Sequence, residues 1–467
     1  MATQQINFDQ IKNLGSIASQ DSGSVNMTGS MSGSFSGDGS QLTGISGGGG
    51  GFPDAQVVYL DKNGANSGNS FTTFQGAYNA ADALAATDKV SIIVGAGSAV
   101  DFGNCVLTAP WNPNVSLTGL GAKTSVVGNI DGTNLGAGVG YSVDIKIHNV
   151  GVGTISCPAT DGSSADGFIT VEGQESELQR IGGLAAGSTI GAPVIASGVR
   201  VVGTFDPNFG VVVSVTSGGN ITLADCQLDN SIATAYFLPT LVTATRCNFG
   251  AGINCNANGD ASDAILTDCT VVGAIDLRGD GPVGSGDATL TRSTVGGISV
   301  LRGGTGGSPT IAVITLIDSL VTGTAPIFGA SVQLCNQGLP ACTLKMQNSR
   351  VVGPILGDTL GSTSPATIFM LNSHVEGYFD RVNSTSIFTK STIRNSSGGC
   401  INDIDASGPT IIDCTLESAD TVSNEISAAS PVTIVAHHLL LRVGLHANVA
   451  LSEGTSTQST NIKIPSI

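Results

Sequence analysis

A chain of 467 residues with 65 Gly, 11% charged and 4% aromatic residues is too poor in charge for a helix-rich globule. With 40% hydrophobic residues it is also too apolar to be disordered as a whole. Eighteen basic against 35 acidic residues leave a formal charge of −17, which opposes nucleic acid and anionic membranes as bulk partners. The length allows two to four ordinary domains, yet the abundance of Gly, Thr, Ser, Val and Ile points to many short strands joined by tight turns.

The chain opens Met1-Ala-Thr-Gln-Gln5, without a secretory leader, and no apolar run reaches the roughly 18 residues of a membrane span. A soluble product made in the cytoplasm, with no membrane insertion, is expected. Residues 1–45 are short of large apolar side chains and alternate small residues with occasional apolar ones, as in Gly29-Ser-Met-Ser-Gly33. They suit a thin stalk that needs partner chains to become ordered. The Gly-rich run within 46–52 reads as a linker. After it, Thr72 and Gln75 form a capping-box pattern, and Phe74, Ala77, Tyr78, Ala81 and Leu84 recur at helical spacing, which predicts a helix near 72–86.

From there on the chain is strand runs broken by Gly, Asn, Asp and Ser. Nine segments align on Cys226, Cys247, Cys269, Ser293, Ser319, Ser349, Ser373, Ser391 and Cys414, at spacings from 18 to 30 and a mean of 23.5 residues. A fixed structural turn with loops of variable length gives such a period, the mark of a solenoid. Three residues before the anchor each segment carries an apolar residue, from Leu223 to Ile411, and two residues after it Leu, Phe, Val or Ile. Inward positions on an unbroken strand differ by an even number, so a separation of five requires a bend beside the anchor. The polar residue just before each anchor, from Asp225 to Asp413, marks that bend. Cys and Ser then serve as small fillers at the inside of a corner. The expected fold is an all-β, right-handed parallel β-helix over 53–430, capped by the helix near 72–86. The segment 431–467, with PVTIVAHHLLLRVGLHANVAL at 431–451, departs from the pattern and is expected to be a terminal cap or an intersubunit contact. Cys335 and Cys342 are close enough in sequence for a local bridge.

Two stretches carry a resemblance. Residues 14–29 and GSFSGDGSQLTGI at 33–45 resemble the N-terminal segments of bacteriophage tail-fibre and tailspike proteins, which lie near the virion attachment end. VVYLDKNGANSGNSFTTFQGAYNAADAL at 57–84, followed by SIIVGAGSAV and NVSLTGLGAKTSVV, resembles the start of pectin-lyase-like β-helix domains of viral surface proteins. The resemblance implies a homotrimeric virion appendage whose residues 1–45 dock to other tail or neck proteins. Its β-helix would attach to a host-surface polysaccharide or protein receptor. Alternatives on the same scaffold are a polysaccharide depolymerase, acting as a glycoside hydrolase, and a structural capsid or neck decoration without a receptor.

Glycoside hydrolysis needs two carboxyls roughly 5–10 Å apart. The sequence offers Asp276 and Asp280 flanking Arg278, and Asp403 with Asp405, although solvated turn residues are the more ordinary reading of both clusters. No catalytic pair is singled out, so the chain is expected to act without catalysis. His148, His374, His437, His438 and His446 show no metal-ligand spacing, and Gly119-Leu-Gly-Ala-Lys-Thr124 lacks the order of a phosphate loop. No cofactor or metal is assigned. Exposed rings for stacking on sugars are scarce, Trp111 and five Tyr being the candidates weighed.

Overall fold

A computed structural model describes residues 56–453, with breaks chiefly at 136–141, 157–166, 184–191, 207–210, 235–239, 258–261, 280–285, 303–311, 324–329, 335–341, 358–365, 403–408 and most of 419–448. The expected stalk at 1–45 and linker at 46–52 lie outside the described residues.

The chain is a parallel β-solenoid. Each coil uses three strand positions: one before the corner, one after it, and a third strand facing back across the core. Asp263–Thr267, for example, runs into a corner at Asp268 and Cys269. Thr270–Gly279 then supplies both the post-corner and third strands, with a register shift between Val271 and Ala274. The predicted inward column pairs coil to coil without a slip: Leu223, Ala244, Leu266, Leu290, Leu316, Met346, Met370, Phe388 and Ile411 are successive parallel partners. All nine are buried, as are the nine residues two places after the anchors. A third inward column, including Ile232, Ile253, Ile275, Ile298, Val332 and Ile355, closes the core from the third strand. Each such side chain contributes about 1.5–3 kcal/mol by burial. Among the described residues the one antiparallel pair is Thr204–Asp206 with Val211–Val213.

The bend beside the anchor has a specific cause. All nine residues preceding an anchor adopt left-handed backbone conformation, with φ between 47° and 55°. One such residue per coil consumes the extra position that the parity argument requires. Six of the nine are Asp or Asn, which tolerate this region best; Arg246, Arg292 and Lys390 pay more.

The anchors do more than fill space. The backbone N–H of each anchor from Cys226 to Ser373 donates to the Sγ or Oγ of the next coil's anchor, at 3.5 Å to sulfur and 3.1–3.2 Å to oxygen. Each anchor side chain in turn donates to the carbonyl two residues back, as in Ser319 Oγ to Ile317 O at 2.7 Å. Alanine would fit as well but could do neither, so the Cys/Ser restriction reflects hydrogen bonding as well as size. Three earlier coils use the same corner at Asn149 (φ 53°), Glu175 (φ 51°) and Gly198 (φ 64°). A Cβ on Gly198 would also collide with the Gly173 carbonyl. Ser176 repeats the ladder between Val150 N–H and the Gln174 carbonyl. The residues after Asn149 and Gly198 are Val150 and Val199, which hid these coils from an alignment on Cys and Ser.

The predicted helix is α1, Phe74–Leu84, packed on the first strands Gln56–Leu60 and Val90–Val94. Its cap lies one residue later than the sequence pattern suggests: Thr73 accepts from Gly76 N–H at 3.2 Å. Thr72 is instead held by Asn66, and Gln75 Oε1 accepts the N–H of Val106 at 2.7 Å. A second short helix, α2, spans Ala99–Phe102. At the other end parallel pairing continues through the strands Val432–His437 and Val449–Glu453, which extend the solenoid.

Candidate functional site

The sequence candidates do not converge on one site. Asp276 stands on the outer side of the third strand but is only 5% exposed. Its partners on the neighbouring coils are Asn254 and Ser299, so no second carboxylate faces it across an adjacent coil. The side chains of Arg278, Asp280, Asp403 and Asp405 lie outside the described residues. So do those of His437, His438 and His446. His148 is exposed, between Thr118 and Gln174 of the flanking coils. His374 Nε2 lies 3.3 Å from Glu376 Oε1, which also accepts from Arg350 at 2.6 Å. Among the described residues no three His, Cys, Asp or Glu form a metal-ligand group.

Trp111 is core: 1% exposed, stacked on Tyr78 at 4.3 Å, with its Nε1–H donated to Val115 O. Among the described residues Cys105, Cys226, Cys247, Cys255, Cys269 and Cys414 are buried thiols. Burial pushes the thiols of Cys105 and Cys255 up to about 12 and that of Cys414 up to about 11, well away from a nucleophile's range. Cys342 is disulfide-bonded; Cys335, its partner as weighed from sequence, lies outside the described residues.

Three faces of the solenoid remain. The third-strand outer row is largely covered, with Thr216, Asp276, Ser299 and Gln333 all at or below 5% exposure. The post-corner face is charged and internally paired towards both ends, where Arg200 bridges Asp229 (2.6 Å) and Glu177 (3.2 Å) and Arg394 meets Glu417 at 2.7 Å, while Asn248, Thr270, Thr294 and Leu320 leave its middle uncharged, with Val272 65% exposed. A hollow of about 350 Å³ beside Glu175, Glu177, Arg200 and Asp225 belongs to this paired network.

The pre-corner face is different. Strands such as Thr343–Gln347 and Thr367–Leu371 alternate strictly, Leu344, Met346, Ile368 and Met370 facing in and Lys345, Gln347, Phe369 and Leu371 facing out. Parallel register then stacks Thr315, Lys345, Phe369 and Ile387 in one outer row and Ile317, Gln347, Leu371 and Thr389 in the next. Together they line an open groove of about 380 Å³. Phe369, Leu371 and Ile387 form its apolar floor and are 37–43% exposed. Lys345, Gln347, Thr315 and Thr389 supply donors and acceptors around it. This is chemistry for a sugar ring, whose C–H face lies on an aromatic side chain while its hydroxyls reach polar neighbours. Phe369 sits four residues before Ser373, so its outward position is legible in the aligned columns.

Asp263 and Asp287 form a carboxylate pair on adjacent coils that the sequence candidates do not include. Asp287 N–H donates to Asp263 Oδ1 at 2.8 Å, and Val313 N–H donates to Asp287 Oδ1 at 2.8 Å. Desolvation, with a smaller contribution from the charge of Asp263, raises the Asp287 carboxyl above its ordinary value.

No protein-family model matches the chain, and no curated protein is similar to it. Among solved structures it is similar to the catalytic unit of a thermostable GH87 α-1,3-glucanase from Streptomyces thermodiastaticus strain HF3-3. The identity is 15%, over 88% of this chain and 71% of that one, with a TM-score of 0.31.

Proposed function

We propose that the chain is a virion appendage of the tail-fibre or tailspike kind, made in the host cytoplasm and carried on the particle as a homotrimer. Residues 1–45 dock it to other tail or neck proteins, and the solenoid presents a binding surface to a host-surface polysaccharide. The observation that carries the binding role is the groove around Phe369. It brings three exposed apolar side chains together on adjacent coils and rims them with neutral polar groups and one lysine. The N-terminal resemblance supports the placement on a particle.

Binding of the purified full chain to host polysaccharide tests this reading, with polymer length followed in the same samples. Retention without shortening is expected, and Phe369→Ala weakens it about ten-fold, the equivalent of about 1.4 kcal/mol. No retention by the wild-type chain contradicts the reading. Shortened polymer would favour the depolymerase alternative. For that, Asp263 and Asp287 are the pair to substitute, since adjacent coils lie about 4.8 Å apart and a retaining glycosidase holds its carboxyls roughly 5 Å apart.

A further inference from the structure

The groove around Phe369 is longer along the solenoid axis than across it. Its outward lining comes from four successive coils, Thr315 and Ile317 to Ile387 and Thr389, about 14 Å at about 4.8 Å per coil. Across the strands it is two rows wide, residues two apart, about 7 Å. The two rows do not stop at the groove. In unbroken register they run from Ile195 and Ser197 through Thr289 and Thr291 into it, and leave it through Thr410 and Ile412. Over these ten coils Lys345 is the one charged side chain of twenty. Six of the ten residues ahead of the groove are Thr, and none is larger than Ile. Carboxylates border the rows instead. Asp263 and Asp287 stand two residues before Ile265 and Thr289, and Asp318 follows Ile317 at the corner.

We infer that the ligand of this face is a neutral, linear polysaccharide whose chain lies along the solenoid axis, over the Thr rows as well as the Phe369 groove. The inference rests on the binding reading given above and fixes the class and direction of its ligand. A ring stacked on Phe369 in a groove of this shape directs the chain along the axis, so the rings that follow meet the same two rows on the next coils. Each Thr offers a hydroxyl and a methyl from one stiff Cβ. It exchanges hydrogen bonds with sugar hydroxyls and touches a C–H face at little cost in side-chain freedom. A repeating surface thereby meets a repeating ligand. Charge opposes an acidic polymer, because its anionic groups would pass Asp263, Asp287 and Asp318 with Lys345 as the one cation in the rows, already within the field of Asp287. The uncharged middle of the post-corner face lies round the corner from the groove and shares neither row with it.

Calorimetric titration of the full chain with sized fragments of host polysaccharide tests the inference, with circular dichroism verifying that each variant is folded. Long fragments are expected to bind wild type at least about ten-fold more tightly than disaccharides. Thr289→Val/Thr291→Val, three coils from Phe369, should weaken long fragments about five-fold and leave disaccharides unchanged. Phe369→Ala weakens both, and Thr270→Val/Thr294→Val on the post-corner face changes neither. Fragments whose primary hydroxyls have been oxidised to carboxylates should bind at least about five-fold more weakly than the same fragments unoxidised. Affinity that does not grow with length, or a Thr289/Thr291 variant that binds long fragments as wild type does, confines the ligand to the groove; this overturns the inference and leaves the binding reading standing. Oxidised fragments that bind as tightly overturn the neutral class. No binding by wild type at any length overturns the binding reading and the inference with it.

Discussion

The corner side and the third-strand side of the solenoid are built to different tolerances. From three residues before the anchor to two after it the inward positions are five apart in all nine coils, whereas from anchor to inward third-strand residue the count is six in five coils, five in Ser293 to Ile298, ten in Ser391 to Ile401 and 13 in Ser319 to Val332. From that residue on to the next anchor it runs from 12, Phe379 to Ser391, to 21, Ile298 to Ser319. At the corner a left-handed residue, a small side chain and two hydrogen bonds must coincide, and an inserted residue would break all three. After the third strand the chain leaves the ladder, and loop length costs little entropy. Constraint therefore concentrates at the corner, while variation falls where loops emerge and on the outward rows.

The largest expected effect lies on the third-strand side. Ile298→Ala removes a fully buried side chain and should cost about 2–5 kcal/mol in denaturant unfolding. A change below about 1 kcal/mol would mean that this column does not close the core. At the corner, Cys269→Leu should cost about 1–3 kcal/mol by overpacking. It also removes the acceptor for the Cys247 N–H, so Cys269→Ser, which retains an acceptor, should be tolerated far better. Equal losses for the two would deny the ladder any part.

Backbone strain gives a smaller effect of opposite sign. Lys390 adopts φ 48°, and replacing it with Asn should stabilise the protein by up to about 1 kcal/mol. A loss on thermal unfolding would contradict the strain assignment. Smallest is a pH effect at the corner edge. Hydrogen bonds from Arg246 and Arg292 hold the carboxyls of Asp225 and Asp268 below their ordinary range. A carboxyl lowered on folding contributes stability above its unfolded value of about 3.9 and loses it as pH falls through the folded value. Asp268→Asn should therefore flatten the acid limb of a stability–pH curve below about pH 4 and leave neutral stability nearly unchanged. An unaltered acid limb would remove the pair from the account.

Much of the corner was legible in the sequence because its demands fall on single residues at fixed offsets. The parity switch follows from two inward columns five apart, and the structure supplies its cause in the left-handed residue between them. The third inward column was only partly legible, since its offset from the preceding anchor is six at Ile275 but five at Ile298, ten at Ile401 and 13 at Val332. The corners at Asn149 and Gly198 escaped because valine follows both. The groove was half legible: strand alternation turns Phe369 and Leu371 outward, but only coil-to-coil register puts them beside Ile387 and Lys345. Asp263 and Asp287 were legible as neighbours, since both stand six residues before an anchor, Cys269 and Ser293.

The central claim is that a hydrogen-bonded column of Cys and Ser fixes the corner and leaves the outward rows free to bind. Unfolding free energies of Ser319→Ala and Ser319→Cys, measured side by side, test it most directly. Alanine leaves the Ser293 N–H without its 3.1 Å acceptor and should cost about 1–3 kcal/mol. Cysteine, which holds the same place on three consecutive coils at 226, 247 and 269, should cost less than about 1 kcal/mol. A neutral alanine, or a cysteine as damaging as alanine, would contradict the account.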